Sequence, residues 1–184
     1  MWNLHFLTRP ALGLVVWALG ALPVEAQAPA GKAQAVAIVR GFTNSDIQGT
    51  FILTQGDGKS VRVTGEVRGL PPKSTLAIHV HEWGDCRNPD ASGAHFDPHK
   101  SGKHGHPHDP VGSHHAGDLP NLETDDQGVA RIDFTTQAFT LDMSPTSVIG
   151  RALIIHEKAD DYKSQPAGAA GGRIACGVIG WAKP

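Results

Sequence analysis

Val61-Arg62-Val63-Thr64-Gly65-Glu66-Val67 decides the fold class. Positions 61, 63, 65 and 67 are apolar or small, and the intervening Arg62, Thr64 and Glu66 are polar. That two-residue period sets one face of a β-strand on a core and the other in water. Comparable β-rich runs occupy 35–40, 50–54, 76–81, 129–134, 152–156 and 174–179. Turn signals such as Gly56-Asp57-Gly58, Leu70-Pro71-Pro72 and Asp126-Gln127-Gly128 separate several of them. No segment carries a 3.6-residue apolar stripe over a dozen positions. Many short strands between tight turns predict an all-β sandwich or barrel. Two stretches, 82–117 and 157–172, are Gly/Pro-rich and polar. Loops of that length in a small domain are usually functional.

The chain has 184 residues, enough for one domain with a removable end. Its 40% hydrophobic and 18% charged residues exclude a disordered chain, and a net charge of −2 argues against non-specific nucleic-acid binding. Residues 1–9 hold a single Arg9, 11–22 are apolar and uncharged, and small residues follow around Ala26. This pattern reads as a secretory signal peptide over 1–26, cut after Ala26 or alternatively Ala28. The apolar run is too short for a membrane span, which needs about 20 residues. A linker at 27–34 then leads into a domain at 35–184, soluble and exported once the signal is removed. In an oxidising compartment Cys86 and Cys176 favour a disulfide, with two buried thiols or two metal ligands as the alternatives. Neither cysteine has the C-x-x-C spacing of a redox or zinc motif.

Histidine is the unusual count: 11, equal to the 6 Phe, 4 Trp and 1 Tyr together. His79 and His81 sit two apart on a predicted strand and therefore face the same side. His156 ends another strand. His95, His99, His104, His106, His108, His114 and His115 crowd one loop, with Asp118 three residues on. Neutral imidazole suits zinc and copper. Three histidines and an aspartate suit a closed zinc site, and a histidine-only set with an open position suits redox-active copper.

These residues resemble the copper/zinc superoxide dismutases in their bacterial exported form. The matching stretches include Ile78-His79-Val80-His81-Glu82, Gly84-Asp85-Cys86, His95-Phe96-Asp97-Pro98, Lys103-His104-Gly105 and His115-Ala116-Gly117-Asp118-Leu119. They continue through Val148-Ile149-Gly150-Arg151, Ile155-His156-Glu157-Lys158-Ala159-Asp160-Asp161 and Gly172-Arg173-Ile174-Ala175-Cys176-Gly177. The resemblance implies an eight-stranded Greek-key β-barrel with two long functional loops. It implies one copper, held by His79, His81, His95 and His156, and one zinc, held by His95, His104, His115 and Asp118. Asp160 would link His79 to His104, and Arg173 would hold the anionic substrate. The implied activity is two-step dismutation of superoxide to dioxygen and hydrogen peroxide, with His95 carrying a proton. With a net charge of −2, attraction of an anion falls to local cations, for which Lys158, Lys163 and Arg173 are the candidates.

Histidines are more numerous than the motif requires. His106 or His108 are alternatives to His104, and His114 to His115, although only Lys103-His104-Gly105 matches the family pattern. The spares His99, His106, His108 and His114 read either as solvated or core side chains or as an auxiliary metal-loading surface. A non-catalytic periplasmic copper/zinc buffer or chaperone on the same scaffold is the rival to the enzyme. The remaining expectations are a periplasmic location, a homodimer, and no nucleic-acid or membrane partner.

Overall fold

The computed structural model describes residues 32–43 and 45–183. The expected signal peptide, and the linker up to residue 31, lie outside the described residues. The strands are β1 (Gln34–Gly41), β2 (Gln48–Gln55), β3 (Val61–Arg68), β4 (Thr75–Leu76), β5 (Ile78–His81), β6 (Leu122–Glu123), β7 (Ala130–Thr136), β8 (Ala152–His156) and β9 (Arg173–Trp181). No helix occurs among the described residues. Seven strands form one antiparallel sheet in the order β5-β8-β9-β1-β2-β3-β7, and β4 pairs with β6. A Thr124–Ala130 bridge joins the β6 segment to β7, so the sheet curls round toward its own far edge. The pairing of β3 with β7, β1 with β9 and β5 with β8 skips sequence neighbours, as a Greek key does.

All seven strand runs read from the sequence are present. The run at 76–81 is broken at Ala77, because β4 pairs with β6 and β5 with β8. At that corner the Ala77 N–H donates to Lys158 O, and its carbonyl accepts the His156 N–H. Counted as one bent strand, β4 and β5 bring the total to the eight expected. β6 escaped the sequence reading because two residues cannot display an alternation.

In β3, Val61, Val63 and Val67 are buried, while Arg62 reaches across to Asp133 of β7 with contacts of 2.8 and 2.6 Å. Gly65 stands opposite Phe51 of β2. A Cβ there would lie 2.3 Å from the Phe51 ring, so the glycine makes room for a fully buried aromatic. Phe51, Leu53, Phe139, Leu141, Leu153, Ile155 and Ile179 fill the interior between the curled faces.

The chain after β5 positions the site. It returns along the free edge of β5, with bridges His79–Asp118 and His81–His95. Val80 N–H donates to Gly117 O (2.9 Å), and Phe96 N–H donates to Val80 O (2.8 Å). A Cβ on Gly117 would sit 2.1 Å from Val80 O, so only glycine allows this approach. Cys86 and Cys176 form a disulfide with Cα atoms 5.6 Å apart, tying this return segment to β9.

Candidate metal centre

Two groups of four buried donors lie side by side: His79, His81, His95 and His156, and His95, His104, His115 and Asp118. Within each group the donor atoms are all within 4.8 Å of one another, and His95 belongs to both. Strand alternation explains the first group. His79 and His81 share the inner side of β5, and His156 closes the paired strand β8. The bridge from His81 to His95 then brings in the loop.

In the second group, one carboxylate oxygen gathers three rings. Asp118 Oδ1 lies 2.8 Å from His95 Nδ1, 2.9 Å from His104 Nδ1 and 3.4 Å from His115 Nδ1. Asp118 Oδ2 accepts the Gly105 N–H at 3.0 Å.

The ring nitrogens facing away from these clusters are spoken for. His79 Nε2 and His104 Nε2 each lie 2.8 Å from Asp160, on Oδ2 and Oδ1 respectively. His81 Nδ1 donates to Gly93 O (3.0 Å), and His156 Nδ1 to Gly171 O (3.3 Å). A carbonyl or an ionised carboxylate can only accept, so these contacts fix the tautomers. They leave His79 Nδ1, His81 Nε2 and His156 Nε2 as lone-pair donors pointing at one spot. His81 Nε2 and His156 Nε2 face each other at 3.4 Å. His79 Nδ1, His95 Nε2 and His115 Nδ1 are buried with no hydrogen-bond partner. Stranding three buried nitrogens is costly unless a cation receives them. The residues therefore fit two metal ions that share the His95 ring.

The electrostatics separate the two halves. Burial, opposed only in part by Asp160, pushes His79 down to about 3. Burial and the neighbouring His95 push His81 down to about 2, and burial pushes His156 down to about 4. Burial also lowers His95 against the pull of Asp118. His104 goes the other way. Burial alone would lower it, but its contacts with both Asp118 and Asp160 outweigh that and raise it to about 9. Both aspartates are held below the usual carboxylate range, their histidine partners overriding the effect of burial.

Arg173 opens β9 opposite His156, at a bulge in the β8–β9 pairing. Its Nη1 donates to Pro89 O (2.8 Å) and Ser92 Oγ (3.2 Å), and its Nη2 to Gly93 O (2.7 Å). Lys158 and Lys163 are exposed on the 157–172 loop. Of the spare histidines, His99 donates to Ala138 O (3.1 Å), and His106 Nδ1 accepts the His108 N–H (3.2 Å) while its ring packs on Tyr162. His114 is buried and donates from Nδ1 to His115 O (2.8 Å). The second donor group contains His104 and His115; His106, His108 and His114 stand outside it, and none of the spares joins another three-donor group among the described residues. The sequence assigned no role to the backbone acceptors Gly93 and Gly171, or to Gln165, which lies in the run Tyr162–Gly168 that resembles the bacterial branch of the family.

A curled antiparallel barrel carrying two buried four-donor clefts fused at one imidazole defines a binuclear histidine metalloprotein. Residues 47–179 match the family model described as copper/zinc superoxide dismutase (SODC). A superoxide dismutase (Cu-Zn) 1 of Aquifex aeolicus (strain VF5) is 47% identical over 122 residues, covering 62% of this chain and 69% of that protein. The superoxide dismutase (Cu-Zn) of Cryptococcus neoformans var. grubii is 38% identical over 155 residues, covering 80% of this chain and 97% of the relative. The crystal structure of the clock protein EA4 superposes with a TM-score of 0.72 at 40% identity, over 81% of this chain and 94% of that one. The chain belongs to the copper/zinc superoxide dismutase family. It is an oxidoreductase that dismutes superoxide to dioxygen and hydrogen peroxide with copper and zinc as its metals.

Proposed function

We propose that His79, His81, His95 and His156 hold the copper, that His95, His104, His115 and Asp118 hold the zinc, and that the His95 ring is shared. One observation carries this reading. His95 turns Nδ1 toward Asp118 and leaves Nε2 buried and unpartnered beside His79 Nδ1, which is likewise unpartnered. Copper bound there supplies the one-electron couple that oxidises one superoxide and reduces the next. The side chains do the rest. Arg173 binds the anion: its guanidinium stays charged at any working pH, and three acceptors hold it in place. His95 Nε2 holds a proton when it is free of metal and delivers it to the reduced substrate. Asp160 keeps His79 and His104 in the tautomer that offers Nδ1. Lys158 and Lys163 add local positive potential on the rim.

Metal analysis of single variants tests the assignment. His156→Ala loses copper and keeps zinc, and His104→Ala loses zinc and keeps copper. Loss of both metals in equal measure from either variant contradicts the assignment.

The mature chain is further read as a periplasmic homodimer released from a signal peptide at 1–26. The disulfide, the apolar run at 11–22 and the Aquifex relatives support export. Exposed Trp83, Ile38 and Val178 supply outward apolar surface for a second copy. The N-terminal sequence of the exported protein and a sedimentation equilibrium run test both statements.

A further inference from the structure

The 157–172 loop touches His104 at more than Asp160. Gln165 Oε1 accepts the His104 N–H at 2.8 Å, and Gln165 Nε2 donates to His104 O at 2.8 Å. One primary amide therefore closes on both backbone groups of a single residue, 61 positions away in sequence. Three residues further on, Gly168 lies against the imidazole of the same histidine. A Cβ there would stand 1.9 Å from Asp160 Oδ1 and 2.7 Å from His104 Nε2, and the residue has φ +65°. The turn thus grips His104 by its backbone through Gln165 and covers its His104–Asp160 hydrogen bond through Gly168.

Other donors of the second group are fixed differently. His95 and Asp118 are each paired with β5 through a bridge. His115 N–H donates to Lys103 O, within the histidine loop itself. His104 lies on no strand. The flanking Lys103 O and Gly105 N–H are held by His115 and Asp118, and the ring by Asp160. The N–H and C=O of His104 itself are both satisfied by Gln165, which thereby helps to set the direction of Nδ1.

We infer that Gln165 is a positioning residue for the zinc site: its amide holds the His104 backbone so that Nδ1 meets Asp118 Oδ1, and zinc affinity depends on that clamp. The inference rests on His104 being a zinc ligand. Partners one shell out from a metal ligand typically change metal affinity by about 10–100-fold when removed. Gln165 is exposed apart from its engaged amide, so changing it leaves the barrel core intact. Because the copper group takes none of its donors from His104, copper affinity is not expected to follow.

The test compares the full-length mature protein with Gln165→Met and Gln165→Glu, measuring zinc affinity by chelator competition and copper affinity in parallel. Met keeps the length and apolar bulk of Gln but makes neither hydrogen bond; Glu keeps only the acceptor for the His104 N–H. Zinc affinity is expected to fall about 10-fold or more in Gln165→Met. The carboxylate of Gln165→Glu repels His104 O and is expected not to restore it. Copper affinity stays unchanged, and the metal-free variant still unfolds in a single cooperative transition, with a modest loss of stability from the two missing hydrogen bonds. With cobalt in place of zinc, the visible absorption bands of Gln165→Met shift, reporting altered ligand geometry. Wild-type zinc affinity in Gln165→Met overturns the inference, and so does an equal loss of copper affinity. His104→Ala serves as the reference: if it keeps wild-type zinc affinity, the ligand assignment itself fails. If it loses zinc while Gln165→Met does not, only the clamp is wrong.

Discussion

Arg173 and His81 share one carbonyl. Gly93 O accepts from His81 Nδ1 at 3.0 Å and from Arg173 Nη2 at 2.7 Å. A histidine of the first donor group and the guanidinium proposed to bind the anion are thereby indexed to the same backbone atom. That atom lies seven residues after Cys86, whose disulfide partner Cys176 lies three residues after Arg173. Replacing Arg173 with Ala should lower dismutation at low superoxide about 10-fold and flatten its dependence on ionic strength, since local focusing raises anion encounter by 10-fold or more. Arg173→Lys should fall between, because a single ammonium cannot span Pro89 O and Gly93 O together. Pulse-radiolysis rates at several salt concentrations check this. An Ala variant with the wild-type rate and salt slope contradicts it.

The disulfide predicts a separable effect. It closes 90 residues of chain, for which the chain-entropy treatment gives about 4–5 kcal/mol. Cys86→Ser with Cys176→Ser should reduce stability by about 2–5 kcal/mol in urea unfolding. Because the 86–93 segment supplies the acceptors of Arg173, the doubly substituted protein should also lose activity while retaining both metals. Full activity at full metal content would mean that Pro89 and Gly93 hold Arg173 without the bridge.

Gly65 offers a test of the core that leaves the site alone. Alanine there would place a methyl group 2.3 Å from the ring of Phe51, which is fully buried. Gly65→Ala should destabilise by about 1–3 kcal/mol, as overpacking does. Adding Phe51→Leu should recover part of the loss. Urea midpoints of the single and double variants read this out, and independent additive losses would show that the two residues do not compete for volume.

The pairing of Gly65 with Phe51 also marks how far the sequence could be read. The alternation at 61–67 was legible because one face of β3 is buried and the other carries Arg62 to Asp133. The corner at Ala77 was not, because Leu76, Ala77, Ile78, His79, Val80 and His81 are all buried and show no alternation to break. The donor histidines were legible because metal binding restricts the residue type. Gly93 O and Gly171 O were invisible, since every residue offers a carbonyl and only the fold selects these two. The contact of Gln165 with His104 was invisible for a related reason: a glutamine matters here only because two loops meet across 61 positions.

The opposite shifts of the histidines predict how the metal-free protein responds to pH. His79, His81 and His156 titrate in the folded protein at about 3, 2 and 4, well below the ordinary value of 6.5. As pH falls below 6.5, the unfolded chain takes up protons that the folded chain refuses, so stability drops. His104, raised to about 9, acts in reverse. Its contribution is complete below 6.5 and is lost as pH rises through 9, because the unfolded chain has already released that proton. Stability of the metal-free protein should therefore peak near pH 6.5 and decline on both sides. Urea midpoints between pH 4 and 9.5 check this, and a profile still rising at pH 9 contradicts it. Metal uptake follows the same logic. On the proposed ligand assignment, zinc at about pH 7.5 must displace the proton that His104 Nδ1 shares with Asp118, so its binding should release about one proton. Copper meets rings that are already neutral, and its binding to the metal-free protein should release almost none. Whichever metal enters second should release about one more, the proton left on His95. Titration calorimetry in two buffers of different ionisation enthalpy counts these protons. Zinc should also be the first metal lost as pH falls from neutrality, because protons compete for His104 long before they reach the rings of the proposed copper group.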